Sequence, residues 1–295
     1  MKPVGALPPL LAAPAAARQT ALSPVDSVTL GSEPAPIRPR LPEPWEPLRE
    51  APLAPGVDRS SLLREVRNAV QDPGRHVHQG THPHMCVPTT LEYRMAREEP
   101  ARFVRLVAAL FSPEGVAEAG LARPEGSLED DGTGRSQLDR VVQGALYALA
   151  GAPAPDARYD SRTHAWIGGP EAQGLQPRQT RTLAEELTGD ATMLNVPGSP
   201  GLVAHLGRQG SFLAALYTFG GGAHQVLVER VSDDRAVYRD PEGSRAKPFE
   251  GAVALDAERG VFALAVEDLE DQVAAVVAPA RSLPAEVLPP EAWIL

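Results

Sequence analysis

GGGAHQVLVERVSDDRAVYRDPEG, residues 220–243, carries the strongest local signal in this chain. His224 to Val231 reads as a β-run, Ser232-Asp233-Asp234 as a turn, and Arg235 to Asp240 as the returning strand. In an antiparallel hairpin the start of the first strand faces the end of the second. His224 and Asp240 are therefore expected as cross-strand neighbours at one edge of a sheet. A carboxylate beside an imidazole fixes its tautomer and favours its charged form. The glycines ahead of His224 match neither a P-loop nor a dinucleotide fingerprint. They give the backbone room beside the imidazole.

Working outward, FLAALYTF (212–219) and GVFALAVEDL (260–269) are further short β-like runs. Upstream the texture is helical. SSLLREVRNAVQ (60–71), VPTTLEYRMAR (87–97), PARFVRLVAALF (100–111) and SQLDRVVQGALYALAG (136–151) all place apolar residues at helical spacing. Pro88 is tolerated in a first turn, and Ser136 is the expected cap of the last of these helices. Thr182 and Glu185 in TLAEEL form a capping-box pattern for one more. Helices first and an antiparallel sheet afterwards is the α+β pattern.

The expected organisation is a Pro/Ala-rich tail over 1–57, a folded domain over 58–285 and a C-terminal tail over 286–295. Within the domain, the helical part spans about 58–190 and the sheet part about 200–270. Thirteen of the chain's 31 prolines fall in the first 57 residues, which leaves little there to build a core. Trp45 is expected to pin the end of that tail onto the body.

Bulk properties exclude several function classes. A net charge of −10 argues against general nucleic-acid binding, which needs a basic face. No stretch approaches the ~20 apolar residues of a membrane span. One cysteine rules out an intramolecular disulfide framework and a multi-cysteine zinc module. Pro8, Pro9 and Pro14 interrupt the apolar N-terminal run, so a cleaved signal peptide is not expected.

That single cysteine closes a loop, HVHQGTHPHMC (76–86), holding His76, His78, His82 and His84. Cys86 opens a helix, where the macrodipole stabilises a thiolate. Cys86, His224 and Asp240 together supply a nucleophile, a base and a group that orients the base. Gln79 lies seven residues before the cysteine, where its amide can donate to an oxyanion alongside the Cys86 N–H. Gly221, Gly222, His84 and Trp166 are the expected substrate-contacting residues. Two His-x-His pairs with Cys86 could hold zinc. No CxxC or matching carboxylate accompanies them, however, and one thiol cannot be both inert ligand and nucleophile. No metal and no cofactor are expected.

A helix-borne cysteine, an upstream glutamine and a later His-strand-turn-strand-Asp-Pro segment resemble the papain-like cysteine peptidase superfamily. The closest likeness is to the bacteriocin-leader (double-glycine) peptidase group. The resemblance covers about residues 76–265. It implies a helical subdomain packed on a C-terminal twisted antiparallel sheet, with Cys86 as nucleophile, His224 as base, Asp240 as orienter and Gln79 as oxyanion donor. It also implies a thiol protease or amidohydrolase acting on a peptide or protein. Met85 and Val87 depart from the Asp-Cys-Gly signature of that group.

Two other readings fit the same residues. One is a glutamine deamidase or transglutaminase-type bacterial effector using the same three groups. The other is a non-catalytic interaction or metal-binding protein on the same scaffold. A working thiol suits the cytoplasm or an effector exported in reduced form, with the proline-rich arm as a contact for a partner or an export machine.

Overall fold

The computed structural model describes residues 45–153, 157–171, 173–188, 191–194, 200–217, 223–232 and 234–279. Among them are nine α-helices: α1 (Glu46–Glu50), α2 (Arg59–Gln71), α3 (Pro73–His76), α4 (Cys86–Glu98), α5 (Pro100–Leu110), α6 (Gln137–Gly151), α7 (Pro177–Thr188), α8 (Leu202–Gln209) and α9 (Val266–Gln272). The strands are β1 (Tyr159–Asp160), β2 (Ala165–Trp166), β3 (Ala191–Leu194), β4 (Phe212–Tyr217), β5 (Ala223–Val231), β6 (Arg235–Arg239), β7 (Val253–Asp256), β8 (Val261–Ala265) and β9 (Val273–Pro279). β1 and β2 form a small hairpin. The other seven make one antiparallel sheet in the order β3-β9-β4-β5-β6-β8-β7.

Period-two burial in the strands gives the sheet two apolar faces. Leu213, Leu227 and Val277 join the large core built by α2 and α4–α7. Ala214, Leu216, Val226, Val228 and Val276 face the opposite way and pack with Leu202, Val203 and Leu206 of α8 and Leu269 of α9. The sheet is thus covered by helices on both sides.

The local signals for α2, α4 and α5 coincide with helices, and Pro88 lies in the first turn of α4. Ser136 caps α6 in a reciprocal box with Asp139. Four expectations need correction. The sheet spans 191–279, wider than 200–270, because β9 runs between β3 and β4. The run 260–269 is not one strand, since β8 ends at Ala265 and α9 begins at Val266. Thr182 is no cap. It lies inside α7 with its hydroxyl donating to the Arg178 carbonyl, while Pro177 opens the helix and the Gln179 side chain accepts from the Gln176 amide. The body also starts before residue 58, because Leu48 and Ala54 are buried and Trp45 packs against the same core.

Two acids are buried where α4 meets α6. Glu92 accepts from Gln143 Nε2 at 2.8 Å, and Asp139 Oδ2 accepts from the Ser136 amide at 3.3 Å. Each keeps one oxygen without a partner. Burial, then repulsion from Asp139, holds Glu92 well above the ordinary carboxyl range; burial pushes Asp139 up to about 7. Both shifts are upward, so the folded state binds more protons than the unfolded one from about pH 4 upward, and stability falls as pH rises through 7. Glu92→Gln keeps the shape and the bond to Gln143 while removing one charge. It is expected to raise Tm at pH 8 and flatten the slope of Tm between pH 5 and 8; an unchanged slope would show that Glu92 stays charged.

Candidate active site

The β5–β6 hairpin closes with Ser232 N–H donating to the Arg235 carbonyl at 2.7 Å. Its register runs from Val231↔Ala236 to Leu227↔Arg239, with a bulge at Glu229. Asp240 leaves the ladder just beyond Arg239 and donates its amide to the Gly260 carbonyl at 2.9 Å. Its Oδ1 then lies 3.0 Å from His224 Nε2 and accepts the Glu242 N–H at 2.8 Å. The hairpin expectation therefore holds, with one change of place. β5 is the fourth of seven strands, so the pair sits at the end of central strands and not on a lateral edge.

Cys86 is the other group that acts on His224, and like Asp240 it favours the charged ring. With Nε2 committed to Asp240, Nδ1 is the nitrogen left for the sulfur. Burial alone would pull the His224 pKa down. The Asp240 bond and then the influence of Cys86 outweigh it, and the imidazole is held well above its ordinary value. Asp240 is 2% exposed and the His224 side chain 18%, so little water screens the pair.

Cys86 is the first residue of α4 and only partly buried. Pro88 has no N–H to offer, so the unsatisfied donors beside the sulfur are the first amides of the helix. Met85, directly before it, is fully buried against Tyr147, Tyr159 and Trp166. This corrects the expectation for Trp166. Its ring stacks near Tyr147 (centroids 5.8 Å) and is 5% exposed, so it packs against Met85, the residue before Cys86, and presents little surface to a cleft.

Gln79 is buried and joined to the same turn. Its amide donates to the Pro241 carbonyl at 3.0 Å, and its Nε2 donates to Glu242 Oε1 at a long 3.5 Å. His84 is half buried, with its backbone N–H donating to His82 Nδ1 at 3.2 Å. Gly221 and Gly222 lie outside the described residues.

The loop histidines divide by surroundings. His82 is 1% exposed, with Nε2 3.2 Å from the Tyr159 hydroxyl and its ring edge-on to His164 at 4.2 Å. Burial, Arg135 and the neighbouring imidazoles push it down to about 3. Burial and nearby arginines likewise lower His78. Among the described residues, no three His, Cys, Asp or Glu side chains are placed to hold a metal ion.

Gly80 lets this loop pass. Its φ is +61°, and a Cβ there would come within 2.4 Å of the Thr133 carbonyl, which instead accepts the Thr81 amide at 2.9 Å.

Arg239, adjacent to Asp240, went unmarked in the sequence. It is 3% exposed, and its Nη2 donates to the carbonyls of Gly74 (2.7 Å), Val77 (3.2 Å) and Pro73 (3.5 Å). Its guanidinium lies 4.1 Å from the Tyr93 ring centroid. One side chain thus ties the strand leading into Asp240 to the segment leading into Gln79 and to the cysteine helix. Nothing local announces this, because its partners are more than 140 residues away.

No family model matches this chain, and no curated protein compared with it does so either. No described helix is long and apolar enough to cross a membrane.

Two outcomes are expected. Arg239→Met should cost about 3 kcal/mol in urea unfolding, because the substitution strands buried carbonyls; a loss under about 0.5 kcal/mol, the scale of a neutral surface change, would show that the clamp is dispensable. By NMR, the His224 ring should be protonated at pH 7 and titrate above the usual histidine range. Asp240→Asn should lower that titration point. If it does not move, the carboxylate is not what holds the proton.

Proposed function

We propose that this chain is a cysteine amidohydrolase of the papain-like kind, acting on a peptide or protein amide through Cys86, His224 and Asp240. The observation that carries the reading is His224 Nε2 3.0 Å from Oδ1 of the buried Asp240, with Cys86 at the start of α4 as the other group that favours the charged imidazole.

In this reading His224 takes the thiol proton and Asp240 stabilises the imidazolium that results. The Cys86 sulfur attacks the amide carbon, and the carbonyl π pair moves onto oxygen. In the same reading, the amides at the start of α4 and the side-chain amide of Gln79 donate to that oxygen. His224 then gives its proton to the leaving amine as the C–N bond breaks, leaving a thioester. Water, activated by the same imidazole, hydrolyses it. If an amine takes the place of water, the same acyl-enzyme performs transfer; if the amide is a glutamine side chain, hydrolysis is deamidation.

Iodoacetamide is expected to alkylate Cys86 at pH 6.5 about tenfold or more faster than an unstructured cysteine peptide, since the thiolate is the reactive species. His224→Ala should remove that advantage. Cys86→Ala should abolish labelling and turnover while leaving the circular dichroism spectrum unchanged. A native thiol that reacts no faster than the peptide ends the proposal. Mass spectrometry of incubated peptides then separates cleavage from the one-dalton gain of deamidation.

A further inference from the structure

Glu242 has no part in the triad, yet it touches two of the groups that surround it. Its backbone N–H donates to Asp240 Oδ1 at 2.8 Å, on the same oxygen that receives His224. Its side-chain Oε1 accepts from Gln79 Nε2 at 3.5 Å. The intervening Pro241 carbonyl accepts the Gln79 backbone amide at 3.0 Å. Three consecutive residues, Asp240, Pro241 and Glu242, therefore hold the base on one side and the glutamine on the other.

The side-chain contact bears on chemistry because a primary amide has two faces of similar shape. Only its NH₂ donates to an oxyanion; its oxygen repels one. Gln79 is 3% exposed and its Oε1 has no partner, so the surroundings offer the carbonyl end nothing that would fix the flip. A carboxylate acceptor does fix it: Glu242 attracts the NH₂ and rejects the oxygen. The 3.5 Å separation is long for such a bond, so one N–H is held loosely and the second stays available. Glu242 also lines an open cavity of about 460 Å³ shared with His78, Ser244 and Arg245.

We propose that Glu242 is a positioning residue that orients the Gln79 amide as oxyanion donor. The inference rests on the acyl-transfer reading above, and it can fail while that reading stands.

Two reactions of the same sulfur separate the possibilities. With p-nitrophenyl acetate, the Cys86 sulfur attacks the ester carbon and the π pair goes to oxygen. The oxyanion then collapses as p-nitrophenolate leaves, giving an acetyl thioester, while His224 keeps the thiol proton. Alkylation by iodoacetamide displaces iodide in one step and forms no oxyanion. An oxyanion donor matters to the first reaction and not to the second.

Glu242→Ala is expected to slow single-turnover acetylation about tenfold, short of the ~10²-fold or more that follows complete loss of an oxyanion donor. Gln79→Ala should show that larger loss. Glu242→Gln, which still presents an acceptor oxygen, should restore most of the rate. Iodoacetamide alkylation should stay within about twofold of the parent protein in all three variants. Acetylation by Glu242→Ala at or above the parent rate overturns the inference and leaves the triad standing. So does a parallel loss of alkylation, which would mean that Glu242 acts through the fold or the imidazole. If the parent protein itself neither acetylates nor alkylates faster than a cysteine peptide, the catalytic reading falls first and this inference with it.

Discussion

The bond between His224 and Asp240 is the constraint around which the site is arranged. Asp240 is almost wholly removed from water, and a bare carboxylate there would cost several kcal/mol. Two donors on Oδ1, the imidazole and the Glu242 amide, offset that cost. The hairpin provides both: β5 brings the ring to the end of the ladder, and the turn after β6 folds the next amide back onto the acid. The imidazole in turn faces a partly buried sulfur with its proton held high by the pair behind it. Asp240 and Cys86 thus act on one imidazole, and both favour its charged form.

That arrangement has to be assembled from two distant parts of the chain, and the loop 77–85 is where the assembly is held. It is fixed from three directions. Arg239 binds the carbonyls at its start, Gln143 Nε2 donates to the His78 carbonyl at 3.2 Å, and the Thr133 carbonyl receives the Thr81 amide. Arg135 braces the last contact, paired with Asp131 at 2.5 Å and bonded to Gln143 Oε1 at 3.3 Å. Farther along α4, Tyr93 donates to Glu229, which also pairs with Arg97 at 2.7 Å. Glu229 is the bulge residue of β5, so the extra residue in the strand supplies a second tie between sheet and cysteine helix. The rigidity of the site comes from these polar contacts as much as from the apolar core beneath it.

The elements legible in the sequence are those whose cause is local. The hairpin with its Ser-Asp-Asp turn, the Ser136 cap and the proline at the start of α5 each need only their neighbours. Much of the site was legible for the same reason, since a two-strand hairpin fixes where its ends meet. What was missed has distant causes. β9 is an alanine- and valine-rich run that becomes a strand by lying between β3 and β4. Thr182-x-x-Glu185 has the form of a cap, but Pro177 had already opened the helix one turn and more earlier. Trp166 looked like a cleft residue until Tyr147, a α6 side chain, closed over it. Arg239 reads as a polar residue of a strand, and only the folded chain puts three carbonyls around it.

The histidines show why the imidazole held charged is His224 and not a member of the crowded loop. Proximity to the cysteine in sequence favours His82 and His84, yet proximity alone does not make a base. His82 is packed against His164 and Tyr159, and burial, Arg135 and the neighbouring imidazoles oppose a positive charge on its ring more than Asp131 favours one. Its Nδ1 already accepts the His84 amide, so protonation there would break the hydrogen bond that shapes the approach to Cys86. His82 is therefore a spacer that stays neutral well below its ordinary titration range. His224 is also desolvated, but it faces a carboxylate at hydrogen-bonding distance, and that single difference reverses the direction of the shift. Two desolvated imidazoles, one held neutral and one held protonated, let the chain set a charged pair near a thiol without charging the loop that leads to it.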